Sequence, residues 1–511
     1  MRHAVHAAAC ALPLVLAASC ARTPVRTDAA RIADARDQML ARINALPGDG
    51  GAVRLERVHP FTDRLVVEEY RLGNGLTILV MEDHAVPVFT YQTWFRVGSR
   101  NEREGITGIA HLFEHLLFKE SENLGDGVFD RLLELNGGRV NASTWVGWTY
   151  YREHLPTGPP TLPDEPPQIL QPPPADRLEL VVRLEADRMA HMVIDEAQVE
   201  AEREVVKNER RYRVDNDPEG KMYESLYELA YTTHPYRWPT VGWMRDLDAI
   251  TLQDCVAFYR TYYSPNNATV VLVGDLSTER VLGLLRRHYG SLPAQEIPPF
   301  APAPEPRQET ERRVELTMPL AAPKVLVGYR IPSQPHPDHP AVEVANELLF
   351  EGRSSRVYRR MVTDEEIASE VSGWVAPFSD PGLLEVMVTL KSGRLPEQGD
   401  GVLSEELDRL RRELVPEAEL AKAKNRLEAE FLRGLQTVGG KARNLGHFAT
   451  TAGDFAHLFS LVERYRDVSA EDVRRVAQVY LGPERRTVVT ALPAKGGGGP
   501  PDGSEQASAA R

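Results

Sequence analysis

A chain of 511 residues is longer than one ordinary hydrophobic core supports, so two or more domains are expected. Its 42% hydrophobic and 26% charged residues describe a globular protein, not a disordered or fibrous one. A formal net charge of −14 argues against a surface built to hold nucleic acid.

At the N-terminus, Arg2 and His3 precede an apolar run that includes Ala11-Leu12-Pro13-Leu14-Val15-Leu16 and ends in Ala17-Ala18-Ser19-Cys20. This pattern predicts an export signal over residues 1–20, too short to span a bilayer. Cys20 resembles the lipid-modified cysteine of bacterial lipoproteins, so a periplasmic protein is expected, free or anchored to the membrane by a lipid on Cys20. Cys10 would leave with the signal, which makes Cys255 a lone cysteine in the mature chain. No disulfide framework or cysteine metal site is then possible.

Residues 21–60 read as a tether with one helix near Ala29–Leu46, and the body starts near Phe61. Two β-rich runs follow, Leu76–Val80 and Val88–Phe95, around the turn-like Glu82-Asp83-His84. The next stretch, GIAHLFEHLLFKES (108–121), has helical spacing. Residues 156–176 are rich in proline, which lacks the amide donor and fixes φ, so they form a surface loop between a strand and a helix beginning near Arg177. A Pro/Ala-rich boundary over 293–311 separates a first domain (61–292) from a second (312–494). The Gly/Pro tail, 495–511, is expected to be disordered.

The two halves repeat each other. ITLQDCVAFYRTYYSPNNATVVLV (250–273) aligns with VSAEDVRRVAQVYLGPERRTVVTA (468–491) at a constant offset of 218, so that Asp254 falls on Asp472 and Tyr262 on Tyr480. Each copy opens like a capped helix and closes as a β-run. Upstream, FEHLLF (113–118) lies over ANELLF (345–350). The expected fold is α+β, two repeated domains, each a mostly antiparallel sheet covered by helices on one side.

On a helix, His115 and Glu114 lie about 40° and 60° to either side of His111, while Ile109, Leu112, Phe113, Leu116 and Leu117 face the opposite way. Two imidazoles at i and i+4 can grip one metal ion, and an adjacent carboxylate can act as general base on water acidified by that ion. The order His-x-x-Glu-His is the inverted-zincin signature. Two histidines leave a tetrahedral site short of a ligand. In EAEREVVKNERR (200–211), Glu202, Val205, Val206 and Glu209 share one helical stripe with a carboxylate at each end. Those carboxylates either complete a metal site or belong to a solvated face.

The chain resembles the pitrilysin-type inverted-zinc metallopeptidases, which include mitochondrial processing peptidase, insulin-degrading enzyme and bacterial relatives. The resemblance runs from about Leu72 to Pro493 and rests on VGSRNEREGITGIAHLFEHLLFK, GGRVNASTW, LEADRMAHMVID, EREVVKNERR, HPYRWPTVGWMRDL and YYSPNNATVVLVGD. It implies one Zn²⁺ per chain held by His111, His115 and Glu209. It implies Glu114 as the base that activates water, and Glu202 as a supporting catalytic residue. Asn141 and Ala142 fall on the edge strand along which a peptide substrate is laid. The implied reaction is hydrolysis of peptide bonds in short or unfolded peptides.

The second half carries Glu343, Asn346 and Glu347 where the first has His111, Glu114 and His115, so it cannot build the same site. Self-sufficient relatives supply an Arg and a Tyr from that half to stabilise an oxyanion. Here the alignment puts Val362 and Ser369 at those places. The expectation is a homologous non-catalytic partner subunit supplying Arg and Tyr, or else a homodimer using Arg353, Arg356 or Tyr358. The competing readings are an assembly subunit without catalysis and a protein that captures peptides without cutting them.

Overall fold

The computed structural model describes residues 25–47 and 51–494. The signal, Cys10, Cys20 and the tail after Ala494 lie outside the described residues. A helix over Val25–Asn44 belongs to a separate N-terminal unit, and the described residues 51–494 belong to a second compact unit that contains both sheets. Among the described residues, no helix is long and apolar enough to cross a membrane.

The first sheet holds β1 (Arg54–Pro60), β2 (Val66–Arg71), β3 (Thr77–Glu82), β4 (Val88–Phe95), β5 (Arg139–Thr144), β6 (Thr149–Pro156) and β7 (Ala268–Gly274), in the order β1-β2-β3-β7-β4-β6-β5. The second holds β8 (Arg312–Met318), β9 (Lys324–Arg330), β10 (Ala368–Val375), β11 (Leu383–Leu390) and β12 (Arg486–Pro493), in the order β10-β11-β9-β12-β8. In each sheet one pair is parallel, β3 with β7 and β8 with β12, and the other pairs are antiparallel. The second sheet therefore repeats the last five strands of the first. The offset of 218 is exact through the helices Leu252–Tyr262 and Ala470–Tyr480, both of which carry the reciprocal capping box. It carries on to the starts of β7 and β12.

β7 reads ATVVLVG and every residue of it is buried, as expected of a strand covered on both faces. The expected cover on one side only is too simple. The first sheet packs its own helices, Ile109–Leu116, Arg177–His191 and Thr278–Tyr289, on one face. On the other, Trp94, Tyr150, Val271 and Val273 pack against Ala442, Leu445 and Phe448 from the second half's helix Val438–Thr451. The exchange is mutual: Met222 and Leu226 of the helix Pro218–Ala230 lie in one core with Leu326, Met387 and Val489 of the second sheet. Both inner faces are apolar, and each needs a cover that its own half does not provide. The stretch read as tether likewise ends in a strand, because β1 pairs with β2 along its length. Between β6 and the helix Arg177–His191, the proline-rich segment makes only one short 3₁₀ turn, Gln168–Leu170.

The exchanged helix comes so close to the sheet that a Cβ on Gly446 would sit 2.2 Å from the Trp94 indole nitrogen. Gly446→Ala is expected to lower stability by about 1–3 kcal/mol despite alanine's better helix propensity, read as a lower urea midpoint at unchanged slope.

Candidate metal and peptide site

The helix Ile109–Leu116 starts at Gly108, whose φ of 93° suits glycine and whose Cβ, if present, would lie 2.6 Å from the Val241 carbonyl oxygen. The Glu102 carboxylate reaches back to accept hydrogen bonds from the Gly108 and Ala110 amides, both at 2.9 Å, and so caps the helix start. Ile109, Leu112, Phe113, Leu116 and Leu117 are all buried, which fixes the opposite face toward a cavity. His111 is 8% exposed and lies at the inner edge of that face.

The third donor comes from the neighbouring helix Glu196–Arg210, capped by Asp195. Its buried residues are Val199, Glu202, Val206 and Arg210. Val205 is 46% exposed, so the stripe is turned one step from the expected one. Arg210 takes the inward place and pairs with the buried Glu224 at 2.7 Å. A π-helical turn, Arg211–Asp215, follows directly after this helix.

Among the described residues, one group of three side chains could hold a metal ion: His111, His115 and Glu209, whose ligand atoms all lie within 4.8 Å of one another. Glu209 Oε2 is 3.7 Å from His111 Nε2 and 3.3 Å from His115 Nε2. Donors bound tetrahedrally at zinc distances are ~3.4 Å apart, so the set fits that ion. The other nitrogen of His115, Nδ1, stands 3.6 Å from Glu202 Oε2, and Glu202 is in turn held by Lys119 at 2.8 Å. A carboxylate behind an imidazole fixes its tautomer and raises its basicity. On the far side of Glu209, Arg213 pairs with Oε1 at 2.9 Å.

The charges fit as well. Burial, then neighbouring His115, push His111 down to about 4. Burial also opposes charge on His115, but Glu202 and Glu209 outweigh it and raise His115 to about 9. Without an ion, the chain therefore keeps one positive charge between two carboxylates, the charge a divalent cation would replace. Glu114 points into the same cavity; burial raises its proton affinity, while a hydrogen bond with Thr144 opposes this.

The cavity has a volume of about 980 Å³. Asn141 and Ala142 line it from β5, the end strand of the first sheet. Asn141 Oδ1 accepts the Ala142 amide at 2.8 Å, so the side chain itself covers an edge donor that an added strand would use. The cavity also has an aromatic wall that the sequence did not reveal: Trp145, Tyr223, Tyr227 and Tyr236 from the first half, Trp374 and Phe378 from the second. Lys119, Thr144 and Arg213 were missed too. Only Arg213 carried a sequence signal, its i,i+4 spacing from Glu209.

Val362 and Ser369 do not line the cavity. Val362 lies in a π-helical turn and the Ser369 hydroxyl donates to the Thr389 carbonyl. Arg356 is held by Glu419 at 2.7 Å, Tyr358 packs against the second core and Arg353 is exposed. Among the described residues, the Arg and Tyr around the cavity all come from the first half. In the second, Glu347 pairs with Arg426 and Glu343 shares a hydrogen bond with Tyr465, so the place of the metal set is filled by internal polar contacts.

Glu385, on the cavity wall, accepts the Tyr227 hydroxyl, and burial raises it from 4.5 to about 8. The folded protein thus holds this proton more tightly than the unfolded chain. Its contribution is full below pH 4.5 and is lost as pH rises toward 8. Glu385→Gln is expected to gain about 3 kcal/mol relative to the parent between pH 5 and pH 8. Thermal melts that shift in parallel over that range would refute this.

Family models match both halves: Insulinase (Peptidase family M16) over residues 77–242 and Peptidase M16 inactive domain over 249–427. The chain is 31% identical over 436 residues to Zinc protease PqqE of Helicobacter pylori, covering 83% of this chain and 93% of that one. It is 24% identical over 438 residues to the Mitochondrial-processing peptidase subunit beta of Lentinula edodes, covering 83% and 88%. Among solved structures, a protease from Helicobacter pylori matches with a TM-score of 0.77 and 29% identity, over 84% of this chain and 99% of that one. A peptidase M16 inactive domain from Pseudomonas fluorescens shares the fold at a TM-score of 0.71 and 18% identity, over 84% of this chain and 98% of that one.

Proposed function

The chain belongs to the M16, pitrilysin-type peptidase family, and from that premise we propose that it is a zinc-dependent endopeptidase acting on short or unfolded peptides. The observation that carries the proposal is the convergence of His111, His115 and Glu209 beside Glu114, on a cavity bordered by an edge strand. His111, His115 and Glu209 would hold the ion. Once bound, Zn²⁺ supplies a Lewis acid that polarises a carbonyl and acidifies water.

The chain's own residues do the rest. β5 takes up an extended peptide by strand addition after the Asn141 side chain swings off the Ala142 amide. The aromatic wall receives an apolar side chain next to the scissile bond and excludes water from it. Glu114 accepts the proton of the attacking water on a carboxylate oxygen and returns it to the departing amine nitrogen. Thr144 orients Glu114. Glu202, braced by Lys119, holds His115 with its Nε2 toward Glu209.

Among the described residues, the cavity receives neither Arg nor Tyr from the second half, which supports a homologous partner subunit as the source of an oxyanion donor. The N-terminal pattern supports export, with or without a lipid on Cys20. Turnover of a quenched peptide library tests the central claim. Cleavage should stop with a chelator and return with added Zn²⁺, and co-expression with a homologue lacking His-x-x-Glu-His should raise it. If the zinc-loaded chain, alone and with such a homologue, cuts nothing, it is not a peptidase.

A further inference from the structure

A second concavity lies on the other face of the same edge strand. It is a groove of about 550 Å³ where the β5–β6 end of the first sheet meets the turn leading into the helix Val438–Thr451. Arg139 and Arg152 line it from the sheet, and Arg433 and Arg443 from the second half. Among the described residues, no acidic one borders it. Among the described residues, none of these four guanidinium groups forms an ion pair or a hydrogen bond, although the chain carries a net charge of −14 and holds many of its other arginines in pairs. Burial, then Arg152 and Arg139, lower the proton affinity of His154, which also lines the groove. The backbone at Gly439 presses on that imidazole so closely that a Cβ there would lie 2.4 Å from it. Four like charges gathered round a concave surface repel one another, and an anion in the groove removes that repulsion.

The position of the groove suggests what that anion is. Arg139 pairs across the strands with His154, and Asn141 with Arg152, so these four side chains share one face of the β5–β6 ribbon. Three residues further along β5, Ala142 and its neighbours border the cavity that holds His111 and Glu114. A peptide added to β5 advances about 3.3 Å per residue and turns alternate side chains to alternate faces. A chain with its scissile bond at Glu114 therefore carries every second side chain past the arginines, beginning roughly three residues away. Planar guanidinium groups pair bidentately with carboxylates.

We propose that this groove is a subsite for acidic side chains of the peptide laid along β5, selecting substrates with Asp or Glu roughly three to six residues from the cleaved bond. The proposal deepens the peptidase reading and rests on it for the path of the substrate.

Two arms of one experiment keep the two claims separate. In the first, quenched peptides with one core sequence carry either an Asp-Glu-Asp or an Asn-Gln-Asn flank, placed on each side of the cut in turn. The zinc-loaded protein should prefer one acidic peptide by about tenfold in kcat/KM, a preference that 0.5 M salt abolishes. In R433Q/R443Q the acidic-to-neutral ratio should fall toward one. In the second arm, fluorescence anisotropy follows binding of the labelled acidic and neutral peptides to zinc-loaded Glu114→Gln protein, so the groove is tested even if nothing is cut. Equal binding of the two peptides, or an acidic preference that R433Q/R443Q retains, overturns the subsite. A preference that the double substitution removes supports it, whatever the turnover result.

Discussion

Glu114→Gln is expected to lower kcat for a quenched peptide by about 10³-fold while the protein still binds one Zn²⁺ per chain. Glutamine keeps the size of the side chain and its hydrogen bond to Thr144 but cannot take a proton from water. Glu114 is absent from the set that converges on Glu209, so its replacement leaves both imidazoles and the third donor in place. The measurement is turnover together with metal content by elemental analysis on the same preparation. Undiminished turnover removes Glu114 from the role of base. Loss of metal along with activity would move Glu114 among the groups that hold the ion.

Glu209→Gln separates binding from chemistry in the other direction. It removes one of three converging donors and the anion facing both histidines, so Zn²⁺ affinity should fall by about 10³-fold, roughly 4 kcal/mol. Activity measured without added metal should vanish and partly return at high Zn²⁺. The side chain lies on a helix whose inward face is held by Val199, Val206 and Arg210, so the fold should survive. A competition titration with a zinc indicator gives the affinity, and circular dichroism checks the fold. An affinity within a factor of a few of the parent's shows that Glu209 is not a ligand. Glu202→Gln should do less, because Glu202 acts through His115: about 10–100-fold on affinity or activity.

What local sequence could reveal is clear from particular residues. His111, Glu114 and His115 fall within five positions on one helix, where the 3.6-residue turn fixes which side chains share a face. The capping boxes at Thr251 and Ser469 and the β-run after each are local too, so the repeat was legible from pattern alone. Cys255, the lone cysteine of the expected mature chain, is buried, and burial raises its thiol to about 12. A stripe centred on the two carboxylates takes in Val205; the buried face is centred nearer Val206, where Arg210 finds Glu224.

Residue types and their spacing alone determined the motif helix, its facial segregation, the duplication and the loss of the motif from the second copy. Each depends on neighbours along one element, where chain geometry leaves little freedom. Only the folded chain decided that β7 enters between β3 and β4, that each half lends a helix to the other's sheet, and that Glu209 meets the histidines across a 94-residue interval. The aromatic wall and the groove of unpaired arginines arise the same way, from residues hundreds of positions apart. No local periodicity records such contacts, because they are set by which apolar faces find each other once the whole chain has collapsed.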